Sequence, residues 1–268
     1  MLTPAGPFPK SKTHLVPEGA RVHHAKDAIQ IIGRDDKVIH SSPISDITSS
    51  IDSIQCGWDA YTSWQNDTTV NPEITYLSTT WAVPEAPSNY NGQSVYLFNG
   101  LEYETDVGSA ILQPVLQYGL SDAGGGEYWA IGSWYIVNTD LAFHSSLVPV
   151  KSGTELVGVM AMTEHVYDDT GTTYYHWNSK FSGHPLNELN ITTTTNFDFA
   201  NITLETYNCT DASYLPTGTT EMKSINLKTG SENPTLKWGP YSDDADNISI
   251  AVTTDGSVEG EVVITYPS

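Results

Sequence analysis

The chain reads as all-β, an antiparallel double-sheet sandwich with an N-terminal extension, and three observations lead there. From Trp58 onward the text consists of short alternating runs parted by Gly, Pro, Asn and Asp clusters, the rhythm of a sandwich or barrel. Long runs with a helical period are absent. Aromatic residues fall on the alternating runs: Trp81, Tyr96, Phe98, Trp129, Trp134, Tyr135, Tyr174, Tyr175 and Trp177. With 268 residues the chain is long enough to bury a sizeable core.

Taken in order, residues 1–50 form the extension and 51–268 the sandwich. The extension holds both arginines and four of the eight histidines, with Pro-rich text from Pro4 to Pro17. Val16–His24 and Ala28–Gly33 read as two short strands around a turn, and a short helix is expected around Ser45–Ser53. The segment is expected to be a pro-segment, an arm packed on the main domain, or a linker. Further strands are expected at Ile74–Val83, Ser94–Asn99, Ala110–Tyr118, Tyr128–Val137, Glu155–Thr163, Tyr174–Lys180, Asn201–Tyr207, Thr220–Leu227, Ile248–Thr253 and Glu261–Tyr266. Asp122–Glu127 is a flexible turn and not a phosphate loop, since no helix or Lys-Ser/Thr follows it.

Composition narrows the function classes. Acids outnumber bases 32 to 11, a formal charge of −21 that argues against nucleic acid and anionic membrane surfaces as partners. The excess suits a protein working in acid. No run of about 18 apolar residues exists, so no membrane-spanning helix is expected. Met1-Leu2-Thr3-Pro4 lacks the features of a signal peptide, yet sequons at Asn66, Asn190, Asn201, Asn208 and Asn247 favour a secreted glycoprotein with its leader removed. Cys56 and Cys209, far apart, read as one disulfide. The histidines form no cluster at ligand spacing, so neither metal nor cofactor is expected, and a monomer is.

Candidate site residues come from polar groups on strands. Ala110–Gly119 is an apolar run interrupted by Gln113 and Gln117, four apart and hence on one face. An unpaired buried amide costs roughly 1–3 kcal/mol, so these two either line a cleft or bond to neighbouring backbone. In Trp129–Val137, alternation puts Trp129, Ser133 and Tyr135 on one face, the more cleft-like of the two, and Trp134 and Ile136 on the other. Glu205 is the best catalytic acid: in Asn201–Tyr207 it shares a face with Thr203 and Tyr207, and partial burial would raise its pKa for proton transfer.

The order Thr80-Trp81-Ala82-Val83-Pro84, Ser94–Gly100, Ala110-Ile111-Leu112-Gln113, Trp129–Tyr135 and Val150–Leu156 resembles the eqolisin glutamic peptidases. The resemblance spans roughly Trp58 to the C-terminus. It implies a concanavalin A-like or jelly-roll sandwich whose catalytic Gln113 and Glu205 meet in a concave cleft and hydrolyse a polypeptide, the glutamate as base then acid, the amide stabilising the oxyanion. Trp81, Tyr96, Gln117, Trp129, Ser133 and Tyr135 would line the substrate site. Two departures from the family pattern carry expectations. Pro114 after Gln113 should force an edge or a bulge, and Glu102 or Glu104 would replace a substrate-site carboxylate. The alternative is a polysaccharide lyase or lectin on the same sandwich, with Gln113, Gln117, His176, Tyr174 and Tyr135 as the lyase set.

Overall fold

A computed structural model describes residues 2–25, 27–44, 57–105, 108–138, 141–242 and 247–267; the expected helix at 45–53 lies outside them. The chain starts as a two-stranded hairpin, β1 (Leu2–Thr3) and β2 (Gly6–Pro7), followed by β3 (Thr13–Leu15), β4 (Arg21–His24), β5 (Ala28–Ile32) and β6 (Val38–Pro43). The sandwich strands begin with β7 (Trp58–Gln65), β8 (Ile74–Ala82), β9 (Ser94–Thr105), β10 (Gly108–Ser121), β11 (Gly124–Val137), β12 (Leu141–His144) and β13 (Val148–Pro149). After them come β14 (Glu155–Tyr167), β15 (Thr173–Phe181), β16 (Leu189–Thr193), β17 (Phe199–Tyr207), β18 (Thr219–Thr229), β19 (Gly239–Ser242), β20 (Ser249–Thr254) and β21 (Gly260–Thr265).

These strands build two sheets. The first runs β19-β7-β17-β9-β10-β11-β12-β3, with β13 also on β11; the second runs β20-β21-β18-β8-β14-β15-β16-β4-β5-β6. The all-β sandwich expected from alternation is therefore the fold observed. All ten sandwich strands read from the sequence are present, whereas β7, β12, β13, β16 and β19 have no counterpart among the expected strands. The extension is an arm built into both sheets: β3 pairs in parallel with β12, and β4 in parallel with β16.

Between the sheets lies the main core, with Leu97, Leu112, Leu116 and Tyr135 from the first sheet meeting Trp81, Met160, Trp177 and Phe181 from the second. The outer face of the first sheet carries a second apolar cluster of Trp58, Tyr96, Phe98, Ile111, Val115, Trp134 and Ile136, covered by Ala5 and Phe8. Alternation thus buries both faces of β10 and β11. That explains why β10 reads as a nearly continuous apolar run.

Pro114 does not stand at an edge or a bulge. It lies in the middle of the first sheet, and Leu112 opposite Leu101 and Val115 opposite Phe98 keep one register on both sides of it. With no N–H to offer, it leaves the β9–β10 ladder open only at Gln113 and Pro114. The register shift falls instead at Tyr118/Gly119, where Gly119 has φ +97° and a Cβ would come 2.1 Å from Gln93 O.

Candidate active site

Register decides which polar groups meet on the outer face of the first sheet. Glu205 on β17 lies opposite Tyr96 on β9, and Tyr96 opposite Gln117 on β10, so these three form one row. A second row holds Asn201 opposite Gly100, and continuing the β9–β10 register across the open pair brings Gly100 to Gln113. Gly100 clears this row, for a Cβ there would sit 2.8 Å from the Asn201 amide.

Gln113 and Glu205 therefore share a face but not a row. Strands lie about 4.8 Å apart and rise about 3.4 Å per residue, so an offset of two strands and four residues separates their Cα atoms by roughly 16 Å. The expected Gln113–Glu205 pair thus stands in two different rows of one face. The carboxyl beside Gln113 is Glu102, its diagonal neighbour on β9 at about 7–8 Å between Cα atoms. Glu102 is buried, and its Oε1 accepts from Asn201 Nδ2 at 2.6 Å, while Asn201 Oδ1 accepts from Thr203 Oγ1 at 3.0 Å. Asn201 enters the sequence reading only as a sequon, yet it belongs to this site. Its place on the polar face of β17, two before Thr203, is the signal that points to it.

Glu205 is fully buried, and burial, the largest influence, pushes its carboxyl well above the usual range. The Tyr207 hydroxyl donates to its Oε1 and pulls the other way, while the nearby Asp59 and Glu102 charges raise it further. Its Oε2 has no hydrogen-bond partner among the described residues.

The two glutamines differ in what holds them. Gln117 Nε2 donates to Gly119 O at 2.8 Å and Gly124 O at 3.0 Å, closing the bulge, so it braces local backbone and does not line a site. A Cβ at Gly125 would come 2.5 Å from that nitrogen, which ties the glycine to the glutamine. Gln113 Nε2 instead donates to Pro4 O at 3.2 Å, at the tip of the β1–β2 hairpin. Gln113 Oε1 is buried without a hydrogen-bond partner among the described residues.

Other expected positions move. Trp129, Ser133 and Tyr135 do share a face, but it is the one between the sheets: Ser179 Oγ donates to Ser133 Oγ at 3.1 Å, and Trp81 packs there on Phe181. Of the expected lining set, Tyr96, Gln117 and Glu102 belong to the outer face. The lyase set does not converge. Tyr135 faces inward and bonds His24 Nδ1 at 2.7 Å, while Tyr174 and His176 belong to the second sheet, at β15. Asn66 and Asn201 are buried with their amide nitrogens engaged, whereas the Asn190 sequon is half-buried and those at Asn208 and Asn247 are exposed. Cys56 lies outside the described residues, and Cys209 is half-buried with its sulfur 3.8 Å from Tyr207 O. Among the described residues no group of three His, Cys, Asp or Glu side chains is arranged to hold a metal ion.

No protein-family model and no curated protein matches the chain. Among solved structures it is similar to a scytalido-glutamic peptidase with a peptide-based transition-state analogue, at TM-score 0.49 and 13% identity over 78% of this chain and 98% of that one. It is also similar to SCP-B, a member of the eqolisin family in complex with the tripeptide Ala-Ile-His, at TM-score 0.44 and 14% identity over 78% and 98%.

Proposed function

We propose that the outer face of the first sheet binds extended polypeptide and that the protein is a secreted, acid-acting endopeptidase of the glutamic type. The observation that carries this reading is the Gln113 amide donating to a backbone carbonyl, Pro4 O, beside a buried carboxylate. In the reaction, Gln113 Nε2 donates to the oxygen of the scissile carbonyl and stabilises the oxyanion as it forms. Glu102 takes a proton from water as that water attacks the carbonyl carbon, then returns the proton to the leaving amine as the C–N bond breaks. Asn201, donating to Glu102, orients the carboxylate. Glu205, deeper along β17 and raised in pKa, marks a neighbouring subsite in which a protonated carboxyl can donate to a further peptide carbonyl.

Digestion of casein at about pH 4, near the ordinary carboxylate pKa, tests the roles. Gln113→Ala and Glu102→Gln should each lower kcat about 100-fold or more, as loss of an oxyanion donor or a general base does. Glu205→Gln should act mainly on KM. If Glu205→Gln abolishes turnover while Glu102→Gln leaves it intact, the pairing of Gln113 with Glu205 is restored. Absence of any cleavage by the parent chain makes the face a binding site only. Mass measurement of secreted material should find glycans at Asn208 and Asn247, with Cys56 joined to Cys209.

A further inference from the structure

A cavity of about 450 Å³ lies at one end of the sandwich, within the span of roughly 300–1,000 Å³ that small-ligand sites occupy. Its walls come from β9, β10 and β11 of the first sheet and from β4, β15 and the residues just after β16 of the second. It is separate from the candidate active site. Ser109 in its wall is four residues before Gln113 on β10, a rise of roughly 14 Å.

The lining is rich in hydroxyls and holds no charge. Tyr103, Thr105, Thr172, Tyr174, Thr194 and Thr195 supply the hydroxyls, and none of the described lining residues is an acid, a lysine or an arginine. Thr105 Oγ1 donates to Gly108 O at 2.9 Å and Thr172 Oγ1 bonds Thr170 Oγ1 at 3.1 Å, whereas no described residue engages the hydroxyls of Thr194 and Thr195. His24 Nδ1 bonds the Tyr135 hydroxyl at 2.7 Å, which leaves Nε2 as the polar atom its ring can offer to the cavity. Burial, then the His23 charge, lower His24 to about 4, so above that pH the ring is neutral. Tyr103, bonded to Tyr135 and Thr193, fixes the floor, and the Tyr174 ring is held by stacking on His23 at 5.7 Å. Ala25, Ile44 and Val137 add an apolar strip. Because Ala25, Tyr174, Thr194 and Thr195 are half-buried, the cavity is reached from solvent without any strand parting.

We propose that this cavity is a binding site for a neutral saccharide, one or two rings in size. Three classes of small molecule compete for such a lining, and elementary costs separate them. A carboxylate or ammonium would lose its hydration and find no opposite charge, and Asp168, bonded to the Tyr174 hydroxyl at the rim, repels anions further. An apolar molecule would leave the His24 nitrogen and the threonine hydroxyls unpaired. A sugar hydroxyl both donates and accepts, as threonine hydroxyls and a neutral imidazole between them do, so each can answer the other whichever way the protons point. The C–H face of a pyranose has the Tyr174 ring and the Ile44–Val137 strip to pack on. With its polar groups already held by the fold, the site pays little to order itself on binding.

Titration of the intact chain at neutral pH with glucose, galactose and xylose, followed by the imidazole NMR signals of His24, tests this. At least one of the three should bind saturably with a Kd of about 1–10 mM, and glucuronate and cyclohexanol should each bind at least about tenfold more weakly. Thr194→Val and Thr195→Val, which keep shape and remove a hydroxyl, should each weaken the sugar about three- to tenfold. Ala25→Trp, which fills the cavity and removes no polar group, should weaken it about tenfold or more with Tm held near that of the parent. Absence of saturable binding by all three sugars at about 100 mM overturns the site. Sugar binding unaltered in Ala25→Trp and in both threonine variants moves it elsewhere on the molecule and overturns the assignment. Glucuronate or cyclohexanol binding as tightly as the best neutral sugar overturns the ligand class.

Discussion

Ile111 and Leu112 are neighbours on β10, both buried, and they face opposite ways into two different kinds of interior. Leu112 points between the sheets, into a core that is apolar almost throughout and closed on its far side by another whole sheet. Ile111 points outward into a layer where Val115, Phe98 and Tyr96 share space with Glu102, Asn201, Thr203, Glu205 and Gln113, covered by Ala5 and Phe8 of the N-terminal segment. The same solvent exclusion is thus achieved by permanent packing on one side and by a short segment on the other. The carboxyls of Glu102 and Glu205 and the amides of Gln113 and Asn201 stand on the side covered by a short segment.

The sharpest test of that contrast is the neighbouring pair itself. Leu112→Ala should cost about 2–5 kcal/mol in urea unfolding, because the opposing sheet cannot settle into the cavity. Ile111→Ala should cost no more than about half as much, since the N-terminal segment carrying Ala5 and Phe8 can move inward; equal losses would erase the distinction. Next in size is Gly100→Ala, whose Cβ would meet the Asn201 amide at 2.8 Å. Overpacking there should cost about 1–3 kcal/mol and break the Asn201–Glu102 bond, read as a lower Tm together with lost turnover.

A smaller effect has a clear sign. The raised pKa of Glu205 means that its contribution to stability is complete below the ordinary carboxylate pKa and is lost as pH rises through the folded-state value. Glu205→Gln does not titrate, so the parent chain should lose stability relative to this variant on going from acid to neutral pH, as urea midpoints across that range would record. The least change is expected from Tyr207→Phe, which removes the hydroxyl donated to Glu205 Oε1, at about 0.5–1.5 kcal/mol of stability.

Much of the fold was legible because alternation is a local signal. The inward and outward faces of β11 agree with the spacing of Trp129, Ser133, Trp134 and Tyr135, although the face expected to be a cleft is the inter-sheet one. Pro114 misleads for a related reason. A proline breaks one ladder bond, and whether that forces an edge depends on how many other bonds hold the strand, which only the assembled sheet determines. The site was less legible still. Gln113 and Gln117 look alike in the text, and their difference is made by Pro4, 109 residues before Gln113, and by the nearby bulge at Gly119. Likewise Glu205 and Asn201 are four apart on one strand, and the long-range register of β17 on β9 alone decides which of them stands in Gln113's row.

The parallel pairings of β3 with β12 and β4 with β16 make the arm a border for both sheets. Without them, β12 and β16 would present open backbone to other chains, the usual route to edge-to-edge aggregation. A proteolytic cut is therefore harmless to the sandwich only where it leaves β3 intact. Between the β1–β2 hairpin and Thr13 the chain has a 3₁₀ turn, Lys10–Lys12, where Lys10 and Ser11 are exposed. A nick there would convert a tethered cover into a dissociable peptide, held on the outer face only by its own contacts.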